Sequence, residues 1–250
     1  MRPLFTIITV TYNAEALIQR TIESVLGQTY DNLEYIIVDG ASSDGTMDII
    51  KKYKDSHMTW RSEPDNGIYD AMNKSLNLAT GDYVWFINAG DTLHDENTLE
   101  QLAEGIPGKI LPDVIYGETA ITGPDGKIQA MRRLKAPARL TWKSFRMGML
   151  VCHQSFIAKR VSAPEFDLTY KYSADYEWCI QCLKKARLIH NSHQTLSHFL
   201  DGGVSTTQRK ASLKERFIIM KKHYGSAVVM LLHIWFAIRF FFAKWTGRQV

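Results

Sequence analysis

The stretch Tyr35-Ile36-Ile37-Val38-Asp39-Gly40-Ala41-Ser42-Ser43-Asp44-Gly45-Thr46 decides the fold. Its apolar start is short and β-branched, which fits a strand over Glu34 to Asp39. Small polar residues from Gly40 to Gly45 make a turn, and a helix is expected over Thr46 to Tyr53. Reading outward, the alternation repeats. Leu4 to Thr11 is another β-branched run, and Ala14 to Thr29 places Leu17, Ile18, Ile22, Val25 and Leu26 on one helical face. Met58 to Arg61 reads as a short strand, and Gly67 to Ala79 as a helix with Ile68, Met72, Leu76 and Ala79 in phase. Asp82 to Asn88 encloses the strand core Tyr83-Val84-Trp85-Phe86-Ile87. A β-α-β-α-β-α-β order predicts an α/β protein with a parallel, doubly wound sheet.

Such sheets bind ligands beyond the C-terminal ends of their strands. Here those ends read Thr11-Tyr12-Asn13, Asp39-Gly40 and Asn88-Ala89-Gly90-Asp91, polar or acidic in each case. The turn after the second strand does not complete a phosphate-binding P-loop, because Thr46 stands where a Lys is required. No G-x-G-x-x-G follows the first strand, so the dinucleotide fingerprint is also missing. Asp39 can accept hydrogen bonds from a nucleobase imide or a ribose, or it can simply cap a turn. Asp91 can hold a divalent ion together with diphosphate oxygens, since Mg²⁺ and Mn²⁺ accept few protein oxygens completed by water and phosphate; the plain alternative is a turn aspartate.

The second half is less regular. Strands are expected over Asp113 to Tyr116 and Thr119 to Ala130, with Gly123-Pro124-Asp125-Gly126 as a hairpin turn, and over Cys152 to Ala158. Ser173 to Ala186 reads as a helix with Ser173 as N-cap. Leu188 to Ser192 reads as a strand and Ala211 to Tyr224 as a basic helix. The 250 residues are 45% hydrophobic and 22% charged, an ordinary globular balance that excludes collagen-like, coiled-coil and disordered chains. Three cysteines make no disulfide framework, and Met1-Arg2-Pro3 followed by a β-like run shows no signal-peptide pattern, so a reduced, cytoplasmic setting is expected. Cys179-x-x-Cys182 lies on a helix beside Ile180 and Leu183 and reads as core packing.

Several segments resemble family 2 glycosyltransferases. They are Ile7 to Asn13, Ile36 to Thr46, the run Glu63-Pro64-Asp65-Asn66-Gly67-Ile68-Tyr69-Asp70-Ala71-Met72-Asn73-Lys74, Ala79-Thr80-Gly81-Asp82 and Asn88-Ala89-Gly90-Asp91. The likeness extends through His153-Gln154-Ser155, Ser173-Ala174-Asp175-Tyr176 and Gly202-Gly203-Val204-Ser205-Thr206-Thr207, and is greatest to transferases of the colanic-acid type of exopolysaccharide. It implies a GT-A fold, a Rossmann-like, mostly parallel sheet with flanking helices, over residues 1–207. Residues 1–95 would be the nucleotide-binding half and 96–207 the acceptor half. It also implies an inverting transfer from a nucleotide-diphosphate sugar, with UDP favoured and GDP possible, assisted by Mn²⁺ or Mg²⁺.

Carried over by position, the resemblance puts Thr11, Tyr12 and Asp39 around the nucleobase. Asp44, Asn73 and Asn88 fall on the donor side, and His153 and Gln154 on the acceptor side. Asp91 matches the metal-binding acid, with His198 as a further candidate ligand. Asp175 matches the catalytic base, which takes the acceptor hydroxyl's proton; as a first-turn helix acid it would also suit the helix dipole. The chain departs from the pattern at Asn88 and Gly90, where many relatives carry Asp, and at Met72, where Arg is frequent. The thinned metal motif leaves a second reading open, a nucleotide-sugar-binding partner subunit without turnover.

Residues 202–250 hold nine Lys/Arg and the single acid Glu215, a net +8, so the rest of the chain carries −4 of the total +4. Ala227 to Ala243 is apolar apart from His233 and Arg239, too short and too charged for a span of about 20 apolar residues. With the basic helix before it, residues 208–250 read as C-terminal amphipathic helices anchored at an anionic membrane surface. Trp235, Phe236, Phe240, Phe241, Phe242 and Trp245 suit the headgroup boundary. A lipid-linked glycan acceptor in bacterial polysaccharide synthesis follows from the tail and the resemblance together. No nucleic-acid motif accompanies the basic stretch, so nucleic acid is not an expected partner.

Overall fold

The computed structural model describes residues 2–108, 110–202 and 208–245, with side chains to position 238. The first half alternates as its sequence predicts. Strands β1 (Phe5–Thr11), β2 (Leu33–Asp39), β3 (Met58–Ser62) and β4 (Tyr83–Phe86) are separated by helices α1 (Ile18–Leu26), α2 (Thr46–Ile50) and α3 (Ile68–Leu78). β1 runs parallel to β2 and β4, and β2 parallel to β3. β1, β2 and β4 are buried almost throughout because both of their faces are covered, whereas the edge strand β3 is exposed beyond Met58. Ile7, Tyr35, Ile37 and Trp85 pack on the side of Ile18, Ile22 and Val25 of α1. Ile8, Val10, Ile36, Val38 and Phe86 pack on the other side with Tyr69, Met72 and Trp178. Met72, at the position of a frequent Arg, is therefore a core residue.

The remainder comprises β5 (Thr92–Leu93), α4 (Thr98–Gly105), β6 (Val114–Thr122), β7 (Ile128–Met131), β8 (Phe156–Lys159), α5 (Ala174–Lys185), β9 (Ile189–Leu200), α6 (Arg209–Tyr224) and α7 (Ser226–Trp245). The sheet order is β3-β2-β1-β4-β8-β6-β9-β5, with β7 paired to β6. Only its first part is all-parallel: β8 is antiparallel to β4 and β6, and β5 antiparallel to β9.

Four sequence expectations change here. Asp113 to Tyr116 and the strand from Thr119 are one strand, β6, whose register on β9 shifts between Tyr116 and Thr119. Gly117 sits in that bulge, where a Cβ would meet Gln194 O at 2.5 Å. Cys152 to Ala158 begins as a 3₁₀ turn, His153–Ser155, before β8. The strand expected to end at Ser192 continues to Leu200, past His193 at φ 56°. The helix expected from Ala14 starts at Ile18, after a turn in which Leu17 N and Ile18 N both donate to Ala14 O. Cys179 and Cys182 are buried, free thiols in the core.

The basic helix α6 packs on the body of the protein. Ile219 and Met220 are buried, Ser173 Oγ meets Ser212 Oγ at 3.0 Å, and Glu215 accepts from Lys171 N and Tyr172 N at 2.9 and 2.8 Å. Ser173 thus occupies the N-cap position of α5 but directs its hydroxyl at α6. Tyr224 stacks on Trp142 at 5.5 Å. On α7, His233 turns inward, edge-on to Phe217 of α6 at 4.9 Å. The outward face is apolar, with Met230, Leu231, Ile234, Trp235 and Ile238 between 44% and 69% exposed. Among the described residues no helix is long and apolar enough to cross a membrane. The side chains of Phe240, Phe241, Phe242, Lys244 and Trp245, and residues 203–207 of the Gly202 loop, lie outside the described residues.

Candidate active site

The C-terminal ends of β1, β2 and β4 meet at one edge of the sheet. At β1, Thr11 is buried and its Oγ1 has no hydrogen-bond partner, whereas Tyr12 is exposed beside Gly40. Asn13 and Ala41, at φ 47° and 60°, hold left-handed conformations that are unfavourable for residues with a Cβ. Such local strain concentrates at ligand clamps. Asp39 is buried and closes the β2 turn, accepting from Ser42 N at 3.0 Å and Ser62 Oγ at 2.6 Å. Gly40 leaves no room for a side chain, because a Cβ there would meet Asp65 Oδ2 at 2.4 Å. Asp65 thereby joins Tyr12 at this edge, a neighbour the strand pattern could not indicate.

Two of the expected donor residues are engaged by partners within the protein. Asp44 accepts from Thr46 N at 3.0 Å and Glu15 N at 3.1 Å, and the Thr46 hydroxyl above all holds its pKa below the usual carboxylate value. Asn73 is engaged at both ends of its amide by Phe166, donating to its carbonyl at 3.0 Å and accepting from its N–H at 2.7 Å. It clasps the chain before α5 and turns away from the nucleotide-binding strands. A side chain with both amide groups satisfied cannot be recognised as such from sequence.

Beyond β4 the turn Asn88-Ala89-Gly90-Asp91 is pinned by α1. Thr21 Oγ1 donates to Asp91 O at 2.8 Å, and Arg20 Nε to Gly90 O at 2.7 Å. Gly90 lies at φ 99°, and a Cβ there would meet Leu200 Cδ2 at 2.9 Å, which accounts for Gly where an Asp is common. Asp91 is buried. Its Oδ2 accepts from Gln154 Nε2 at 2.8 Å and its Oδ1 from Leu200 N at 2.9 Å. Burial pushes its pKa up to about 6, against the pull of those two donors.

The neighbouring His153 points elsewhere. Its Nδ1 lies 3.3 Å from Asp175 Oδ2, and its Nε2 lies 3.2 Å from Asn88 Nδ2. Tyr69, from α3, donates to Asp175 Oδ1 at 3.1 Å. The tight 3₁₀ turn thus sends two consecutive side chains to two carboxylates, His153 to Asp175 and Gln154 to Asp91. With Nδ1 donating to Asp175, His153 Nε2 accepts from Asn88 Nδ2, and Asn88 Oδ1 is left buried without a partner. Burial raises the Asp175 pKa, but the His153 hydrogen bond, with the Arg216 charge, outweighs it and holds it below the usual carboxylate value of 3.8. Tyr69 stays protonated, because burial and the Asp175 charge drive its pKa well up.

Asp175, His153 and Gln154 line a cavity of about 370 Å³ with Arg132, Met149, Phe199, Arg209 and Arg216. Tyr69 and the three arginines were not among the expected site residues. Tyr69 lies inside a motif already noted, and Arg209, Ser212 and Arg216 fall on one helical face at spacings of three and four. That stripe is a sequence signal that α6 faces protein.

His198 does not join Asp91. It pairs across the sheet with Thr92, and alternation along β9 sends Phe199 into the cavity and His198 to the other side. There its Nε2 lies 2.8 Å from His94 Nδ1, with Glu23, Ser24 and Asp95 nearby. Burial and the His94 charge lower its pKa. Among the described residues no three His, Cys, Asp or Glu side chains converge on a point. Asn88 and Asp91 still suit a sparsely ligated divalent ion. Asn88 Oδ1 is a buried oxygen without a donor, and an ionised carboxylate has about four lone-pair sites, of which Asp91 uses two.

A doubly wound α/β sheet extended by a mixed part, with acids at its strand ends, is the GT-A architecture of nucleotide-sugar transferases. The chain belongs to glycosyl transferase family 2, whose family model matches residues 6–163. It is 27% identical over 241 residues to a PGL/p-HBAD biosynthesis glycosyltransferase of Mycobacterium bovis, covering 93% of this chain and 91% of the relative. It is 30% identical over 184 residues to an uncharacterized glycosyltransferase of Mycobacterium tuberculosis, covering 72% and 68%. Among solved structures, residues 1–349 of TarS of S. aureus in complex with UDP-GlcNAc superpose with a TM-score of 0.68 at 20% identity, over 87% of this chain and 64% of that segment. The mannosyltransferase PcManGT of Pyrobaculum calidifontis, with GDP-Man and Mn²⁺, gives 0.66 at 18% identity, over 93% and 69%. The chain therefore spans slightly less than two thirds of that 1–349 segment of TarS, and 39% of the longer TarS structure.

Proposed function

We propose that this glycosyltransferase inverts the anomeric carbon while moving a sugar from a nucleotide diphosphate, UDP before GDP, to an acceptor hydroxyl. The observation that carries the reading is Asp175, partly buried at the wall of a cavity, held below the usual carboxylate pKa and fixed by His153 and Tyr69. An ionised carboxylate held from two sides is suited to take the acceptor's proton as its oxygen attacks C1. Thr11, Tyr12 and Asp39 would receive the nucleobase, with Asp39 accepting from the uracil imide. Asp91 and Asn88 would hold Mn²⁺ or Mg²⁺, which when bound neutralises charge growing on the leaving diphosphate. Residues 1–95 would form the donor half and 96–207 the acceptor half.

The acceptor would be a lipid-linked oligosaccharide of bacterial polysaccharide synthesis, met at the inner face of the membrane. The exposed apolar side of α7, next to the basic α6, supports peripheral docking on anionic lipid.

A thermal-shift panel tests the donor assignment. UDP, GDP, ADP and CDP are compared with and without Mn²⁺ or Mg²⁺. A ligand at 100 times its Kd stabilises the native state by about 2.7 kcal/mol. A metal-dependent shift with UDP that disappears in Asp91→Ala is expected. No shift with any nucleotide at millimolar concentration rejects the reading.

Tyr69→Phe should lower kcat about tenfold, the order expected when one hydrogen bond of about 1.4 kcal/mol to a charged group is removed. Donor KM should stay within twofold, because the lost hydroxyl meets Asp175 while the ring that packs with β1 and β2 is retained. An equal loss in donor affinity would reassign Tyr69 to the donor side.

A further inference from the structure

The cavity beside Asp175 carries more positive charge than removal of one proton requires. Arg132 enters it from the chain after β7, and Arg209 and Arg216 from α6. Among the described residues, none of these guanidiniums has a carboxylate within 4.0 Å. Arg132 donates only to neutral carbonyls, Leu150 O at 3.1 Å, Met149 O at 2.7 Å and Leu134 O at 3.5 Å. Arg216 Nε is buried with no hydrogen-bond partner. Among the described residues the only acid in the lining is Asp175, already engaged by His153 and Tyr69. Three guanidiniums against one carboxylate leave the wall at about +2, with arginine always charged. An unpartnered buried donor is costly, and such a site is complete only when an acceptor of hydrogen bonds arrives.

Position says which substrate brings that acceptor. Every lining residue lies at or after Arg132, so none comes from the ends of β1 and β2. Met149, Phe199 and Leu213 supply apolar wall beside the charges. A phosphate monoester carries about −1.5 to −2 at neutral pH and presents three acceptor oxygens, which matches this wall better than a single carboxylate. Planar guanidinium forks bind such oxygens bidentately.

Building on the transferase reading above, we infer that the acceptor is phosphorylated: its phosphate or diphosphate sits among Arg132, Arg209 and Arg216 and presents its hydroxyl to Asp175. Arg209 and Arg216 are specificity residues in this assignment, and the basic helix is part of the acceptor site.

Calorimetric titration of the full chain tests this at fixed ionic strength. Inorganic pyrophosphate is titrated in EDTA, and UDP and GDP are titrated with Mn²⁺. Wild-type protein is compared with Arg209→Gln, Arg216→Gln and Asp39→Ala. Arg209 is an exposed residue, so its variant keeps the test independent of any folding defect in Arg216→Gln. Each Arg variant is expected to weaken pyrophosphate at least tenfold and leave nucleotide affinity within twofold, with Asp39→Ala doing the reverse. Equal loss of nucleotide affinity in the Arg variants would assign the cluster to the donor diphosphate and overturn the proposal. So would pyrophosphate binding that ignores both arginines. If wild-type protein binds no nucleotide while pyrophosphate still depends on Arg209 and Arg216, the transferase reading fails, and the acceptor assignment falls with it.

Discussion

Asp175→Asn should lower kcat by about 10²–10⁴-fold, the range of a positioned general base. The change keeps the side chain's shape and removes its basicity. It also disturbs a defined set of contacts. Asn Oδ1 can still accept from Tyr69, but its amide would face His153 Nδ1, setting donor against donor. His153 would then carry its proton on Nε2, and Asn88 would turn its free Oδ1 to accept it. That turn takes Asn88 Oδ1 away from the proposed metal position, so metal-dependent donor affinity should fall as well, and kcat is compared at saturating donor. Steady-state kinetics with circular dichroism as the fold control measures this. Retention of more than a tenth of kcat would reject Asp175 as the base. Donor binding without turnover in the wild-type protein would instead favour the partner-subunit reading.

The two carboxylates should also separate by pH. Asp175 is held below 3.8, so kcat should show no acid limb from it above about pH 5. Asp91 titrates at about 6, so metal-dependent nucleotide binding should weaken as pH falls through that value. Each further unit of pH below it should cost about tenfold in affinity. An acid limb near 6 in kcat at saturating donor would reverse these roles.

Glu177→Ala should destabilise the protein by about 2–4 kcal/mol, the loss expected for hydrogen bonds to a buried charge. Glu177 sits two positions after Asp175 on α5, about 200° around the helix, and faces α6. It is fully buried and accepts from Lys222 Nζ at 3.1 Å, His223 Nε2 at 3.2 Å and Gln181 Nε2. Removing it leaves buried His223 and Gln181 without their acceptor. Lys222 is half-exposed and rehydrates, which keeps the cost below that of a fully buried pair. Burial raises the Glu177 pKa, but His223, Gln181 and Lys222 together bring it below 4.5. Its contribution is therefore present above about pH 4.5 and fades as pH falls through the folded value. Urea denaturation of both proteins measures the difference, and a loss under 1 kcal/mol would mean that this contact does not latch α6. Because α6 carries Arg209 and Arg216, the variant should also weaken the cavity's grip on its anion.

The sequence by itself determined the parallel half of the sheet and the places where polar residues end its strands. Those features are local: period-two β-branched runs, helical spacing and turn residues act over a few positions, and their meaning does not depend on distant chain. The positions of Asp39 and Asp91 at or beyond strand ends and of Asp175 in the first turn of a helix were legible for the same reason. The tertiary structure alone decided which side chains meet. Asn73 reads as a donor contact, but Phe166, 93 positions away, takes both ends of its amide. His198 reads as a metal ligand, but its strand register turns it toward His94. The basic helix reads as a surface element, yet burial of Ile219 and Met220 and the Glu177 latch bring two of its arginines to Asp175. In each case the outcome rests on contacts with residues far away in the chain. Composition and periodicity record how much of a face is buried, and packing settles what it is buried against.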